Sequence, residues 1–478
     1  MFAAAIENLR SALDENPWAC ELAGILPLSA LLDFVDMPSK LHIFQLMGAV
    51  PLWSWPVTPS GSGLLLSTRP GTDTHAYLDR FGNTLALTGL DGRYGDKYFI
   101  SNPGTLRLCL DSLPVQAIKN LHGNMKKKHL RVQNLDIVRV CRVATSRGQR
   151  LPSDCWLRRL FYDPWWMFST WHLAVSAVGW VAWGGIVAMS WILECELSFA
   201  FALLIPVTGG VVFMLFGSKS QHLLVSNHSS YNRLVLVTEH TNAMSWTAFY
   251  GESTLVNSLL NRPLEPVGPD VTSATTFRAI RMALRVCIMG QWALVVGAAA
   301  TQQFDAYVIA FWIIFCIWTH AFLIPPSTVA GEWLKSCACL ELHRYRVKVS
   351  SRRTLLNTVM ALNPDTFPES ENSHGQLCFY DTALKWIDPI LAPGPSRLEW
   401  ENATREAMAA TARCTSDELT STAWGHTSGD MVDRDWDKRY PPDNEHYWRD
   451  CIWEGIYVAE CVKKGAGIGG RKVAAVYN

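Results

Sequence analysis

The sequence lacks net charge, a signal-peptide pattern and a cysteine framework, and each absence narrows the class of protein. Its 42 Lys and Arg residues equal its 42 Asp and Glu residues, so the whole chain gives no indication of nucleic-acid binding. The N-terminus is acidic where a secretory signal is basic, so we expect no cleavable signal and assign targeting to the first membrane helix. The 13 cysteines are odd in number and irregularly spaced, which predicts reduced thiols in a cytosol-facing protein.

Charge is also missing from two long stretches, which predict a membrane arrangement. Residues 165–217 contain two apolar runs separated by an acidic break at 194–196, and residues 283–326 contain two more on either side of Asp305. A helix of roughly 20 apolar residues spans the hydrocarbon core of a bilayer. The sequence therefore predicts an α-helical integral membrane protein with four transmembrane helices in two hairpins, and the lipid bilayer as a partner.

The rest of the chain has the patterns of mixed α/β cytosolic portions. Its mean hydropathy is barely positive, so most of the protein must lie outside the bilayer. Strand-like runs at 233–240 and 340–349, a hairpin signal at Asp91-Gly92 and an amphipathic helix at 397–413 support this prediction. The division is an N-terminal cytosolic, partly β-rich region (1–115), a basic juxtamembrane segment (116–164), a cytosolic α/β loop (218–282) and a C-terminal cytosolic α/β region (327–478).

The charged flanks of the apolar runs indicate an orientation. Residues 116–164 and the flanks of the second hairpin are rich in Lys and Arg, whereas the short connections carry only Glu194, Glu196 and Asp305. An excess of basic residues marks the cytosolic side, and it also favours anionic lipid headgroups over nucleic acid as the contact of a juxtamembrane segment. We therefore expect both termini and residues 218–282 in the cytosol, with the endoplasmic reticulum as the default membrane.

Three strongly polar residues interrupt the apolar runs: His172, Gln291 and His320. Polar groups inside a membrane are costly and mark candidate sites. His172 and His320 lie near the cytosolic ends of the first and fourth helices, so the predicted topology puts both imidazoles at similar depth. Two such histidines could ligate a b-type haem or line a substrate pocket, although interfacial side chains are the simpler interpretation. We predict no cofactor and disfavour haem.

The loop at 218–282 contains further acid/base candidates. Glu239 precedes His240 on a predicted strand, where neighbours point to opposite faces, so these two cannot share a cleft without a bulge. Glu239 with His228, or Glu239 with Glu252, stays an alternative, because a carboxylate and a second titratable group in one cleft can transfer protons. A solvated strand end is the simpler interpretation.

Two patterns suggest metals without completing a site. The D-x-D-x-D pattern at 433–437 lacks the Gly and Glu that an EF-hand loop has at its sixth and twelfth positions. It matches the aspartate-rich magnesium motifs of terpene cyclases only inexactly. Cys337, Cys339 and His343 lack the second ligand pair of a structural zinc site. The sequence therefore predicts no metal, magnesium included.

Some stretches carry a family resemblance. The runs NRLVLVTEHTNAMSWTAFYGESTLVNSLLNRPL and EWLKSCACLELHRYRVKVSSRRTLLNTVMALNPD, with KWIDPILAPGP, resemble uncharacterised multi-pass membrane proteins of filamentous ascomycete fungi, over residues 165–395. Such proteins sometimes accompany pathways of specialised (secondary) metabolite biosynthesis. The resemblance implies that context and supplies no catalytic residues.

Two functional hypotheses from different classes follow. In the first, an endomembrane enzyme cyclises or isomerises a lipophilic intermediate with acid/base groups, and its candidate catalytic residues are Glu239, Glu252, His172 and His320. In the second, the protein is a non-catalytic membrane anchor or scaffold for cytosolic partners, which the sequence does not identify. The enzyme requires a closed pocket of roughly several hundred Å3 on which at least two of the four side chains converge, and side chains that point to solvent or into separate cores would exclude it.

Overall fold

Helices and one large sheet make up the described part of the computed structural model. The described residues are 11, 15–30, 37–47, 50–57, 61–62, 65, 78–79, 85–122, 131–143, 169–217, 221–223, 228–229, 231–266, 274–366, 383–411, 434–441 and 446–468. Among them the helices are α1 (Pro17–Ala30), α2 (Met37–Met47), α3 (Pro103–Asp111), α4 (Thr170–Ile192), α5 (Glu196–Val212), α6 (Ser253–Asn261), α7 (Ala274–Thr301), α8 (Phe304–Trp318), α9 (Pro326–Ser336), α10 (Arg352–Leu362), α11 (Pro395–Thr411), α12 (Arg434–Arg439) and α13 (Arg449–Ala466).

Four of these helices are long and apolar enough to cross a membrane: α4, α5, α7 and α8. Two of them continue as single π-helical turns, α5 through Phe213–Gly217 and α8 through Thr319–Leu323. The connections within each pair, at 193–195 and 302–303, lie at the same end of the bundle. There Asp305 accepts a hydrogen bond from the backbone N–H of Ser198 at 2.8 Å, which joins the start of α8 to the start of α5. The number of apolar helices is confirmed.

The strands form a seven-stranded mixed sheet and a separate two-stranded one. The strands are β1 (Thr88–Asp91), β2 (Lys97–Phe99), β3 (Val115–Ile118), β4 (Gln133–Arg142), β5 (Gln221–His222), β6 (Asn232–Thr238), β7 (Ser245–Glu252), β8 (Glu265–Pro266) and β9 (Leu340–Val349). The large sheet has the order β2-β1-β6-β7-β4-β9-β3, while β5 pairs with β8. The pairs β4–β7 and β3–β9 are parallel, and the other neighbours are antiparallel. The predicted mixed α/β region is confirmed.

The two faces of this sheet belong to two different hydrophobic cores. On β4, Val138 and Val140 join the core that also contains the four apolar helices, whereas Leu135 and Ile137 join a second core. This alternation is the period of two that a strand imposes on its side chains. Helices α10, α11 and α13 contribute to the second core. The sheet is therefore a layer between the apolar bundle and a C-terminal helical cover.

The large sheet contains strands from several regions that the sequence analysis treated as separate. Strands β1 and β2 come from the N-terminal region, β6 and β7 from the loop at 218–282, and β9 from the C-terminal region. The segment at 116–164, predicted as basic and juxtamembrane, supplies the inner strand β4. Its residues 123–130 and 144–164 lie outside the described part of the chain. Segments that are distant in the sequence thus contribute strands to one sheet.

Helix α1 packs on α7 and α8 at the end of the bundle remote from the sheet. The Tyr307 hydroxyl, one turn into α8, donates a hydrogen bond to the Ala19 carbonyl at 2.6 Å. Gly24 lies against Ala299 and Gln302, at the end of α7. The charge pattern predicts the N-terminal region on the same side as the sheet. These contacts instead place the start of α1 at the opposite end.

A non-helical segment, residues 50–57, enters the bundle from the sheet side. It follows α2, which packs on α9 and on the π-helical turn after α5. Trp53 stacks edge-on against Trp312 at 5.8 Å between ring centroids, and Trp312 lies eight residues, or about 12 Å, into α8. We call residues 50–57 the inserted segment. Its depth means that protein, and not water, must satisfy its backbone polar groups.

Two glycines make room for the inserted segment. A Cβ on Gly179 of α4 would lie 2.0 Å from the Trp53 ring, and a Cβ on Gly209 of α5 would lie 2.6 Å from the Leu52 carbonyl oxygen. Gly210, the next residue, has open space around its Cβ position. Backbone contacts cannot yield as a flexible side chain can. Glycine at 209 is therefore a steric requirement of the insertion.

We expect Gly209→Ala to destabilise the protein and Gly210→Ala to leave it unchanged. Overpacking of a filled core costs about 1–3 kcal/mol, because neighbouring atoms must move. The thermal unfolding midpoint in detergent measures the effect, and the adjacent glycine is the matched control for the loss of helix flexibility. Equal midpoints for the two variants would contradict the close approach of α5 to the inserted segment.

Candidate functional site

A buried lysine lies where α2 meets the inserted segment. Lys40 is 4% exposed, and its ammonium group donates a hydrogen bond to the Ser54 carbonyl. The same nitrogen lies 4.5 Å from the centre of the Trp55 ring, within the range of a cation–π contact. No carboxylate of the described residues forms an ion pair with it. Lysine in such surroundings is rare, because a buried charge without a partner is costly.

Two histidines from the candidate set lie beside this lysine. His320 Nε2 is 3.1 Å from the Ser54 hydroxyl oxygen, so the two side chains share a hydrogen bond. His320 is close enough to both Lys40 and His172 to interact with their charges. Cys316, one helical turn before His320, is also within electrostatic range of Lys40. We call Lys40, Ser54, His172, Cys316 and His320 the lysine site.

The backbone of the inserted segment is held by side chains of the apolar helices. Gln291 accepts a hydrogen bond from the Val57 N–H at 2.9 Å and donates one to the Trp55 carbonyl at 3.1 Å. The same amide donates to the Thr208 hydroxyl at 2.8 Å. The Trp292 indole N–H donates to the Val57 carbonyl at 3.1 Å. Gln291, the third polar residue found in the apolar runs, thus positions the segment that carries Ser54.

Three buried donors on the inserted segment and on α8 with its π-helical turn have no hydrogen-bond partner among the described residues. They are the indole N–H groups of Trp55 and Trp312 and the Thr319 hydroxyl. All three residues are almost fully buried, at 0%, 1% and 1% exposure. Buried polar groups are ordinarily satisfied, so such a group needs an explanation. A ligand with an acceptor oxygen would supply one.

Burial sets the protonation state of the amine. Desolvation lowers the pKa of Lys40 from 10.5 to about 7, because the ammonium loses its hydration, while Cys316 opposes the shift. Its neighbour on α2, His42, has its pKa lowered by burial to about 3 and shares a hydrogen bond with the Thr105 hydroxyl at 3.0 Å. His42 is therefore a neutral structural link to α3. Lys40 is balanced between its ammonium and amine forms near neutral pH.

The two carboxylates in the candidate set lie elsewhere. Glu239 follows β6 on the surface, where its half-exposed side chain pairs with Arg107 at 3.1 Å. Glu252 ends β7 and accepts hydrogen bonds from the Ser229 N–H at 2.6 Å and the Thr254 hydroxyl at 2.7 Å. It also lies 3.5 Å from His228, a pairing that the sequence analysis did not consider. The pairing of Glu239 with His228 or with Glu252 does not form. The structure brings together His172 and His320 and separates both glutamates from them.

Glu252 belongs to a structural clamp. In addition to Ser229, Thr254 and His228, the Glu252 carboxylate lies 3.6 Å from the guanidinium of Arg142, at the end of β4. Burial raises the pKa of Glu252, but these hydrogen bonds and positive charges outweigh burial and hold it below its ordinary value. A carboxylate stabilised as an anion is a weak base. Glu252 therefore ties the ends of β4 and β7 to residues 228–229.

Two carboxylates within the sheet likewise form ion pairs with arginines. Asp91 is fully buried and receives the Arg233 guanidinium at 2.9 Å. Asp136 on β4 receives Arg344 and Arg346 from β9, at 2.9 Å and 2.7 Å. Such bidentate pairs fix the register of neighbouring strands. Asp91 and Asp136 are therefore held as ion-paired carboxylates.

The metal patterns gain no support from the described residues. Among them no group of three or more His, Cys, Asp or Glu side chains is placed to hold a metal ion. Cys337 and Cys339 are buried, and His343 lies 3.9 Å from Glu341. Asp433 and the side chains of Asp435 and Asp437 lie outside the described part of the structure.

Comparisons with known proteins give this site no precedent. No family model matches the chain, and neither the curated proteins nor the solved structures contain a match. The function must therefore be argued from the geometry.

Sequence reasoning missed Lys40 and the inserted segment. Lys40 is the charge immediately before the apolar stretch at 41–55, and Trp53-Ser-Trp55 lies between two prolines without helical periodicity. Two prolines around an aromatic run exclude a regular helix. That pattern was the available indication of a non-helical element in an apolar environment.

We expect the pH dependence of stability to identify the buried lysine. Between about pH 7 and about pH 10.5 the unfolded lysine binds a proton that the folded lysine has lost, so stability rises with pH across this window. Lys40→Met removes this contribution, and the rise in thermal unfolding midpoint from pH 7 to pH 10 becomes shallower. Lys385→Met, at an exposed lysine, is the control. An unchanged pH slope in Lys40→Met would contradict the burial of the amine.

Proposed function

We propose that the protein is an integral membrane enzyme that performs acid/base chemistry on a lipophilic substrate at the lysine site. Membrane insertion is supported by the tryptophans of α4. Trp171 and Trp191 are 59% and 72% exposed at its two ends. They are 20 residues, or about 30 Å, apart, which is the thickness of the hydrocarbon core. Tryptophan is enriched at both membrane–water interfaces.

Two antiparallel hairpins, α4–α5 and α7–α8, cross the bilayer in this proposal. The sheet lies on the cytosolic side, because Arg278, Arg281 and Arg285 occupy the sheet-side part of α7. The remote end of the bundle carries the acidic residues Glu194, Glu196 and Asp305 instead. The start of α1 lies on the opposite side, with Ala19 beside Tyr307. This replaces the expectation of a cytosolic N-terminus. The endoplasmic reticulum is the membrane we assign.

Catalysis is carried by one observation, the buried Lys40 amine beside the Ser54–His320 pair. An amine with a pKa near neutrality can accept a proton from a substrate carbon or oxygen, and an imidazole can donate one. The apolar helices around the site exclude water and concentrate a lipophilic molecule, so small charge movements have large effects. An isomerisation or cyclisation needs only these two proton transfers. The resemblance to fungal proteins suggests specialised metabolism as the context.

Deletion of the gene in its native host, followed by complementation, tests the enzyme. We expect the deletion strain to accumulate a lipophilic precursor, detected by mass spectrometry of organic extracts. Wild type and Glu239→Gln restore the profile, because Glu239 is a surface residue. Lys40→Met and His320→Phe do not restore it, although both proteins are present in membranes.

Complete restoration by Lys40→Met would exclude catalysis by this site. The protein would then be better described as a membrane anchor or scaffold for cytosolic partners. Membrane levels of each variant, measured by immunoblotting, separate loss of activity from loss of the protein.

Glycosylation of a terminal tag tests the orientation. We expect an N-terminal extension with an Asn-X-Ser sequon to be glycosylated, because α1 begins on the lumenal side. The same extension at the C-terminus should stay unmodified, and so should Asn402, which is exposed on α11. A glycosidase-sensitive mass shift reports each case. Modification at the C-terminus alone would invert the proposed topology.

A further inference from the structure

A second property of Lys40 concerns what it can bond to. General base catalysis needs only a proton acceptor, which a histidine or carboxylate supplies without the cost of burying an amine. A neutral primary amine is also a nucleophile, and it attacks carbonyl carbon. The surroundings of Lys40 contain no described carboxylate that would hold it as an ammonium ion. The fraction of Lys40 that is unprotonated near neutral pH can therefore act as a nucleophile.

The unpartnered donors point to the same ligand chemistry. The Trp55 and Trp312 indoles and the Thr319 hydroxyl can each donate a hydrogen bond, and none has an acceptor among the described residues. Trp55 lies against the Lys40 nitrogen, Trp312 contacts Trp53 of the inserted segment, and Thr319 adjoins His320. A carbonyl oxygen accepts hydrogen bonds and donates none. Of the three donors, the Trp55 indole is the one whose ring lies against the Lys40 nitrogen, and the carbonyl oxygen of a substrate aldehyde or ketone would accept its hydrogen bond.

We propose, on the basis of the proposed function, that Lys40 forms an imine with a lipophilic aldehyde or ketone. The Lys40 nitrogen attacks the carbonyl carbon and gives a carbinolamine. That intermediate loses its hydroxyl group as water, with a proton supplied through the His320–Ser54 pair, and a C=N bond replaces the C=O bond. Water is the only by-product, and no oxidant or reductant takes part.

The imine explains how weak acid/base groups could isomerise or cyclise a substrate. A protonated imine withdraws electrons from the adjacent carbon, whose proton then becomes acidic enough for a neutral imidazole to remove. The resulting enamine is reprotonated at another carbon or attacks an electrophile within the same molecule. Hydrolysis returns the carbonyl product and the free lysine. His320, beside both Ser54 and Lys40, is placed for these proton transfers.

Reductive trapping tests the imine directly. The full-length protein in detergent micelles is incubated with decanal and cyanoborohydride at pH 7, and its peptides are analysed by mass spectrometry. We expect Lys40 to gain a decyl group at least tenfold faster than the exposed Lys385, because a larger fraction of Lys40 is unprotonated. Glycolaldehyde, which is hydrophilic, should not show this preference. Equal rates at Lys40 and Lys385 with decanal would overturn the proposal.

Two variants distinguish a failure of the imine proposal from a failure of the proposed enzymatic function. Ser54→Ala removes the hydroxyl that links His320 to the site and should slow trapping at Lys40, while the rate at Lys385 stays the same. Lys40→Arg keeps the charge, lacks the nucleophile and should not be trapped at position 40. If complementation requires Lys40 but decanal gives no preferential trapping, the lysine acts as a proton-transfer group and the imine is excluded. If trapping occurs but Lys40→Met complements fully, the imine is a chemical property without the proposed metabolic role.

Discussion

The structure depends on the requirement that backbone groups inside an apolar bundle find partners within the protein. Residues 50–57 bring non-helical N–H and C=O groups among α5, α7 and α8, where no helical ladder satisfies them. The Gln291 side chain accepts a hydrogen bond from the Val57 N–H and donates one to the Trp55 carbonyl. A buried backbone group without a partner costs several kcal/mol in hydrocarbon, more than the roughly 1 kcal/mol that one hydrogen bond contributes in a water-soluble protein. A single amide in α7 therefore fixes where the inserted segment can lie.

The position of the lysine site follows from this arrangement. Once Gln291 and the glycines of α4 and α5 fix the inserted segment, Ser54 faces the end of α8, where His320 lies. Lys40 reaches the same residue from α2, which is linked to the sheet side through His42 and Thr105. The site is thus built from an element of the bundle, an element of the sheet side and the segment between them. A change in the packing of bundle on sheet would alter the distances among these three.

The sequence indicated the parts that depend on regular periodicity. Apolar length predicted the four long helices, alternation predicted β6 and β9, and Asp91-Gly92 predicted the β1–β2 hairpin, because each of these patterns is local. The common depth of His172 and His320 was also predictable, since both lie near the ends of helices with known direction. The sheet order was not predictable, because β4 pairs with β7 and β9 through contacts over 100 residues apart. Basic residues on β4 and β9 resembled membrane flanks, yet Arg344 and Arg346 bind Asp136.

Local sequence patterns did not predict the inserted segment, although its residue Ser54 contacts both Lys40 and His320. A lysine that only tethered Ser54 would be an expensive solution, because a buried polar contact can be replaced by well-packed apolar side chains at little or no loss of stability. Methionine at position 40 would fill a similar volume against Trp55 without desolvating a charge. A buried group with such a cost is better explained by a chemical role than by a purely structural one. The amine and the Ser54–His320 pair lie where α2 and the inserted segment meet the sheet-side end of α8, which is where a lipophilic substrate would meet proton-transferring groups.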